Sequence, residues 1–420
     1  MYLNLHPFWS NVLTVMAGTI LSQGIPMAVL LVLTRIVPAA EIGNFSLFLS
    51  AANISSILVA ASLDKAIFSA RTEKEISELL RLTIIAGCAI GLVIIITILI
   101  VQKLSISSVH QIIARYYASM VMYSLLLAFN RHSQAVLTYR SQFQLLNKTK
   151  LLIATPAALA QLVASLLGLG VSGFIYSTTL VSTVSTLMSW KLLSISWQQF
   201  FRETSLSSVK KTFFSNYRFT LFSLPAELIS ATSGQLPIFI IAVRFGSVSV
   251  AMYAMVLRVL SIPVGLLGSS VLTVFQDRAG QDYRDRGNCI NVYLNTLKTL
   301  ALLSFLPFLG LHLFGSDLVK LLLGEQWIFA GEYAEILAPM LFVAFISSPL
   351  SYVLFFSKRG QQLNLLCQLI LSAIVWLVFS CAGDINSAIL YYSIFGSIYY
   401  ICYMFVSYHV ASGVYSHQSL

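Results

Sequence analysis

From Leu92 to Val101 the chain reads LVIIITILIV, an apolar run whose only polar side chain is Thr97. Apolar and polar positions do not alternate in it, which excludes a strand of a membrane β-barrel, whose two faces meet different solvents. The run fits a helix that is apolar all round. A helix that crosses about 30 Å of hydrocarbon at 1.5 Å per residue needs roughly 20 such residues. Windows of that kind recur at roughly 11–33, 42–62, 82–101, 117–139, 151–170, 172–190, 219–242, 249–272, 291–313, 334–356, 363–382 and 386–408. The implied fold class is an all-α polytopic membrane protein with about 12 transmembrane helices. Only 10% of the residues are charged and 58% are hydrophobic, whereas soluble domains carry about 25% charged residues. The fourth window is interrupted by Asn130, Arg131, His132, Ser133 and Gln134 and is the least sharply delimited.

A net charge of +10 raises the question of a nucleic-acid partner. The basic residues answer it, because they lie in short and mostly alternate loops instead of along one face. With a cytoplasmic N-terminus, seventeen of them fall in cytoplasmic loops, and only Arg35, Lys103, Arg115, Arg244 and Lys320 fall in the opposite ones. The positive-inside rule therefore places both termini in the cytoplasm and excludes nucleic acid as a partner. Cys88, Cys289, Cys367, Cys381 and Cys402 have no CxxC or Cys/His spacing, so free thiols and no metal site are expected. The apolar stretch from Val12 has no preceding basic region and no small-residue cleavage site, and reads as a retained helix.

The longest cytoplasmic break, Lys191 to Tyr217, mixes Trp197, Phe200, Phe201 and Phe213 with Arg202, Lys210 and Lys211. It reads as an interfacial amphipathic connector at 191–217 between six-helix lobes at 1–190 and 218–420. An internal repeat supports the division. Ser22-Gln23-Gly24-Ile25-Pro26 leads an apolar run ending at Arg35, and Ser233-Gly234-Gln235-Leu236-Pro237 leads one ending at Arg244. Proline inside a helix removes a hydrogen bond and bends it, so Pro26 and Pro237 are candidate hinges in parallel repeats.

No phosphate loop, HExxH, GxSxG or paired-carboxylate motif is present, so neither an enzyme nor a cofactor is expected. The informative residues are the ionisable ones within apolar windows, each costing roughly 2.5–3.5 kcal/mol near mid-bilayer. These are Arg131, Glu227, Arg258 and Lys298. Glu227 and Arg258 both count to near the midplane and are expected to be able to pair, either as a packing device or as part of a site. Lys298 lies one to two turns from the cytoplasmic edge, close enough to snorkel. Arg35 and Asp64 stand at helix ends, where an interfacial anchor is the plain alternative. A surplus of buried cations suits an anionic cargo, and the guanidinium fork suits phosphate. Gly324-Glu325-Gln326-Trp327 and Ala330-Gly331-Glu332-Tyr333 read as an interfacial helix with Trp and Tyr at headgroup depth.

The order of several short segments resembles a known group. Thr34-Arg35-Ile36-Val37-Pro38-Ala39-Ala40-Glu41-Ile42-Gly43-Asn44-Phe45-Ser46-Leu47 is one. Phe245-Gly246, Met252-Tyr253, Arg258-Val259-Leu260, Pro263 and Val274-Phe275 follow. Phe314-Gly315, Gly324-Glu325-Gln326-Trp327, Ala330-Gly331, Leu337-Ala338-Pro339 and Ser348-Pro349 complete the set. Together they look like the polysaccharide-exporting branch of the multidrug/oligosaccharidyl-lipid/polysaccharide (MOP) transporters, specifically the Wzx-type O-antigen repeat-unit flippases. The resemblance implies a MATE-like fold and a multi-pass protein of the bacterial inner membrane. Its implied cargo is an undecaprenyl-pyrophosphate-linked oligosaccharide, moved from the cytoplasmic to the periplasmic leaflet. Partners would be membrane lipids and a polysaccharide polymerase or chain-length regulator. It implies that Arg35, Arg131 and Arg258 present cations to the cargo; Lys298 joins them by its place inside an apolar window, and Glu227 and Asp64 are the candidate charge or coupling partners. The main rival reading is a multidrug/cation antiporter of the same superfamily. A membrane-embedded ligase or polymerase is disfavoured by outer loops no longer than about twenty residues.

Overall fold

A computed structural model describes residues 5–70, 72–103, 109–193, 212–217 and 219–414, and among these there is no β-strand. The main helices are α1 Leu5–Ile36, α2 Ala39–Ala60, α3 Glu73–Lys103, α4 Tyr117–Tyr139, α5 Phe143–Leu166 and α6 Gly170–Leu192. They continue with α7 Leu224–Arg286, α8 Ile290–Leu323, α9 Ile328–Leu350, α10 Lys358–Cys381 and α11 Ile385–Ala411. α7 covers two of the expected windows, because its halves meet at Gly246, whose φ of 82° and ψ of 175° are not helical. A left-handed φ of that kind is strained for any residue with a Cβ, so glycine is what allows the corner. Among the described residues, nine helices are long and apolar enough to cross a membrane.

The chain divides into two compact units, Met1–Ala231 and Thr232–Leu420. The division falls inside α7, six residues before Pro237. Residues 194–211, most of the expected amphipathic connector, lie outside the described residues; 212–217 are helical, and Thr212 Oγ1 donates to the Glu78 carboxylate of α3.

In the first unit, α4 packs on α2, α3 and α6. Its polar break is the reason it belongs inside. Asn130, His132 and Ser133 are buried, Asn130 Nδ2 donates to Thr186 Oγ1 at 3.1 Å, and Ser133 Oγ donates to the Phe129 carbonyl at 3.0 Å. Ser133 is satisfied within its own helix, whereas Asn130 finds its partner on α6, which lipid would not supply. α3 is the opposite case. Its residues Leu92, Val93, Ile96 and Ile100 are exposed on one face, which marks the lipid-facing side of the unit.

The turn after α2 is strained. Ala61 and Ser62 both take left-handed conformations, with φ of 51° and 54°, at roughly 1–2 kcal/mol each for residues with a Cβ. The turn Phe219–Ser223 and the start of α7 hold them there: Thr220 Oγ1 donates to the Ala61 carbonyl at 3.0 Å, and Ser62 Oγ donates to Glu227 Oε2 at 2.7 Å.

In the second unit, α9 packs on α8 and α11, and α10 on α11. Trp327 and Tyr333 correct the expectation of an interfacial helix. Trp327 is fully buried in the turn Glu325–Trp327 that leads into α9, and Tyr333 is buried one turn into it. A single tryptophan beside a charged loop reads as a headgroup anchor because hydropathy does not record what packs over it. The five cysteines are free; burial, with Asp282 adding to it, pushes the Cys289 thiol up to about 12.

Asp384 caps α11. Its Oδ1 accepts from the Ser387 N–H at 2.9 Å and its Oδ2 from the Ser387 hydroxyl at 2.7 Å. The Ser387 N–H hydrogen bond holds this exposed carboxyl below its ordinary value. A carboxyl lowered by folding adds stability above its unfolded pKa, and that stability is lost as pH falls through the folded value. Asp384→Ala is therefore expected to fray the start of α11 at neutral pH, read as faster hydrogen exchange at 385–388. In the wild type the same fraying appears only on acidification.

Candidate functional site

The expected site residues fall in both units. In the first, Arg35 occupies the last turn of α1 and is exposed, where a cation suits the negative end of the helix dipole. Arg131 is half-buried in the middle of α4, next to His132. Asp64 lies in the single helical turn Leu63–Ala66 after α2, which packs on α4. Burial is the largest influence on the His132 ring, and Asp64 and Arg131 act on it electrostatically as smaller ones. Arg131 and Asp64 thus both act on a histidine that sequence reasoning treated only as an interruption of a helix.

Glu227 is placed differently from expectation. It stands in the first turn of α7, and its Oε1 is 2.6 Å from Lys65 Nζ. Lys65 and Ser62 both lie beyond the C-terminal end of α2, so Glu227 stands at the level of a helix end and not at mid-depth. The pair is partly exposed, with the Lys65 side chain at 44% and Glu227 at 29%, so water screens it and its own contribution is below about 1 kcal/mol. Its consequence is positional. Sequence reasoning counted Lys65 only as a loop charge, and the pairing spans 162 residues, beyond any local period.

A second clamp closes the same end of the first unit. Arg140 follows α4 and sends Nε to Glu73 Oε1 at 3.2 Å, Nη2 to the other oxygen, and Nη1 to the Leu193 carbonyl at 2.7 Å. Beneath it a buried apolar cluster of Leu63, Ile67, Leu79, Leu80, Phe129 and Leu137 includes Trp190, stacked on Phe129 at 5.3 Å.

In the second unit, Arg258 is half-buried on the second half of α7, twelve residues past Gly246, and Lys298 is exposed on α8. Arg244, the repeat counterpart of Arg35, donates Nη1 to the carbonyls of Phe379 at 2.9 Å and Ser380, and its guanidinium lies 5.3 Å from the Phe245 ring centre. It closes the C-terminal end of α10. Pro26 is half-buried inside α1 and Pro237 is buried inside α7. Asn130 and Gln161 spend their amides between helices, Gln161 Nε2 donating to Thr178 Oγ1 at 2.9 Å.

Two comparisons with known proteins give matches. The family model described as "Polysaccharide biosynthesis protein" matches residues 32–331, well over half of the chain. No curated protein matches. Among solved structures, a lipid II flippase, MurJ, in an inward closed conformation is similar with a TM-score of 0.72 at 13% identity, covering 93% of this chain and 86% of that one. An inward-facing multidrug resistance MATE family transporter of the MOP superfamily is similar with a TM-score of 0.67 at 14% identity, covering 93% of each chain. A MOP superfamily transporter from Pyrococcus furiosus, described as having a binding pocket of reverse polarity, is similar with a TM-score of 0.55 at 13% identity, covering 94% and 93%. At such identities the likeness carries the fold: an all-α, multi-pass, two-lobe MOP/MATE-like architecture. With that fold and a match over 32–331, the chain belongs to the polysaccharide biosynthesis protein family.

Proposed function

We propose that this chain is a flippase that moves undecaprenyl-pyrophosphate-linked O-antigen repeat units from the cytoplasmic to the periplasmic leaflet of the bacterial inner membrane by alternating access. The observation that carries the reading is the family match over 32–331 on a chain with a transporter fold. Both termini are cytoplasmic in this reading, as the basic loops require. Arg35, Arg131, Arg258 and Lys298 serve the anionic headgroup, Pro26 and Pro237 bend as the lobes alternate, and the prenyl tail stays in lipid. A polysaccharide polymerase or chain-length regulator takes the product.

The direction has a physical basis. Moving an anion outward across an inside-negative membrane releases about 2.3 kcal/mol per charge per 100 mV. A pyrophosphate of about two charges is thus driven by the potential without ATP. A multidrug/cation antiporter would instead need a free carboxylate for its organic cation, and Glu227 is already engaged by Lys65 and Ser62.

The test is complementation of a strain lacking its own O-unit flippase. Arg258→Ala is expected to abolish surface polysaccharide while the protein still reaches the membrane. Wild-type surface polysaccharide from that strain would sink the assignment.

A further inference from the structure

His132 is fully buried in α4, and its two ring nitrogens are held differently. Nδ1 lies 2.8 Å from the Ala128 carbonyl oxygen. A carbonyl only accepts, so Nδ1 carries a hydrogen in every state of the ring. Nε2 lies 2.9 Å from Thr83 Oγ1, and that hydroxyl also lies 2.9 Å from the Leu79 carbonyl oxygen of its own helix.

The hydroxyl has one hydrogen and two places to put it. Turned to Nε2, it leaves the imidazole neutral, with Nε2 accepting. Turned to the Leu79 carbonyl, it presents a lone pair to Nε2, which must then carry a hydrogen and make the ring an imidazolium. Both arrangements leave the ring nitrogens and the hydroxyl hydrogen-bonded, and they differ by one proton taken up at Nε2 and one O–H rotation, with no heavy atom displaced. An imidazolium buried here needs a counter-charge. The charges that act on the ring are Asp64, on the turn packed against α4, and Arg131, on α4 itself. Among the other charges nearby in sequence, α3 brings Glu78, engaged by Thr212, and Arg81 before Thr83, and the turn brings Lys65, engaged by Glu227.

The level of the site also fits. Thr83 stands where the charged first turns of α3, Glu73 to Arg81, give way to the apolar run, so the ring lies near the polar end of the unit.

We propose that His132 is a proton-binding site, with Thr83 as its switchable hydrogen-bond partner and Asp64 as its counter-ion. The ligand is the hydron itself. Binding draws on Asp64, whose neighbour Lys65 holds Glu227 in the first turn of α7, so proton uptake is transmitted to the strained turn at Ala61–Ser62 and from there to α7. The inference deepens the export reading by naming a group through which a proton acts on the transporter.

The test is a histidine NMR titration of the purified full chain with isotope-labelled histidine. It needs no cargo, so its failure is separate from failure of the export reading. His132→Gln removes one of the six histidine signals, which identifies it, and its amide can bond but cannot take a proton, so thermal melting at neutral pH should be unchanged. In the wild type the signal is expected to titrate reversibly as pH falls from about 8 to about 4, Asp64 offsetting part of the opposition that burial sets against a charged ring. Asp64→Asn should weaken proton binding by about tenfold or more, one pH unit or more of shift. A signal that stays in one state across that range, or a titration that Asp64→Asn leaves in place, would overturn the proposal.

Discussion

Gly331→Val is expected to leave the second unit unable to fold as it does in the wild type. Gly331 lies at the start of α9, where an added Cβ would sit 2.4 Å from Ser316 Cα and 2.9 Å from the Gly315 carbonyl oxygen of α8. Both are backbone atoms, so no rotamer change makes room. The approach is reciprocal, since a Cβ on Gly315 would meet Glu335 Cγ at 2.7 Å and the Gly331 carbonyl oxygen at 3.1 Å. Without a hydrophobic drive between helices in lipid, small residues that let backbones come close are what hold a crossing. α8 is broken just there: Phe314 has a φ of −133°, and the Ser316 N–H is taken up by Glu335 Oε1 at 2.7 Å. His312 Nδ1 donates to the Glu335 carbonyl at 2.8 Å, so the break is fastened on both sides. Overpacking usually costs about 1–3 kcal/mol where side chains can yield; against backbone the cost should reach the top of that range or exceed it. The measurement is yield and melting temperature of the purified protein in detergent. A wild-type melting temperature would show that α8 and α9 do not cross at this glycine.

Trp327→Ala is the second large effect. The side chain is fully buried in the turn between α8 and α9, so truncation leaves a cavity in a place held on both sides by helices. Tryptophan-to-alanine changes in cores cost about 3–5 kcal/mol, and a residue at headgroup depth would lose far less. Thermal unfolding therefore separates the buried placement from the interfacial one; a loss under about 1 kcal/mol would favour the interface. Because Gly331 is four residues away, the two substitutions should not be additive.

These two positions also show where sequence reading stops. α4 was found with the bounds 117–139 although it is the least apolar window, because the polar residues that interrupt it are spent inside the bundle. Gly246 was visible as a motif, but not as the corner that divides α7. Trp327 was misplaced because burial depends on which helix crosses over it. Glu227 was misplaced because its partner is Lys65 across most of the first unit, and counting along a helix measures depth without naming neighbours. For the site, Arg131 and Asp64 were chosen from sequence. The buried pair of His132 and Thr83 was missed: His132 reads in the sequence only as an interruption of a helix, and nothing there singles out Thr83. Histidine inside an apolar helix was the signal to follow.

α3 has a consequence for the membrane itself. It has 31 residues, about 46 Å at 1.5 Å per residue, against about 30 Å of hydrocarbon. Its exposed apolar face begins at Ile85 and runs to Ile100, so the excess length is the charged end that carries Glu73 and the Arg140 clamp. The helix acts as a dipstick, its waterline between Arg81 and Ile85. A thicker bilayer would wet that boundary with lipid and a thinner one would tilt the whole unit. Protein made in membranes of different acyl length would therefore sit at different depths, with Thr83 and His132 nearest the line that moves.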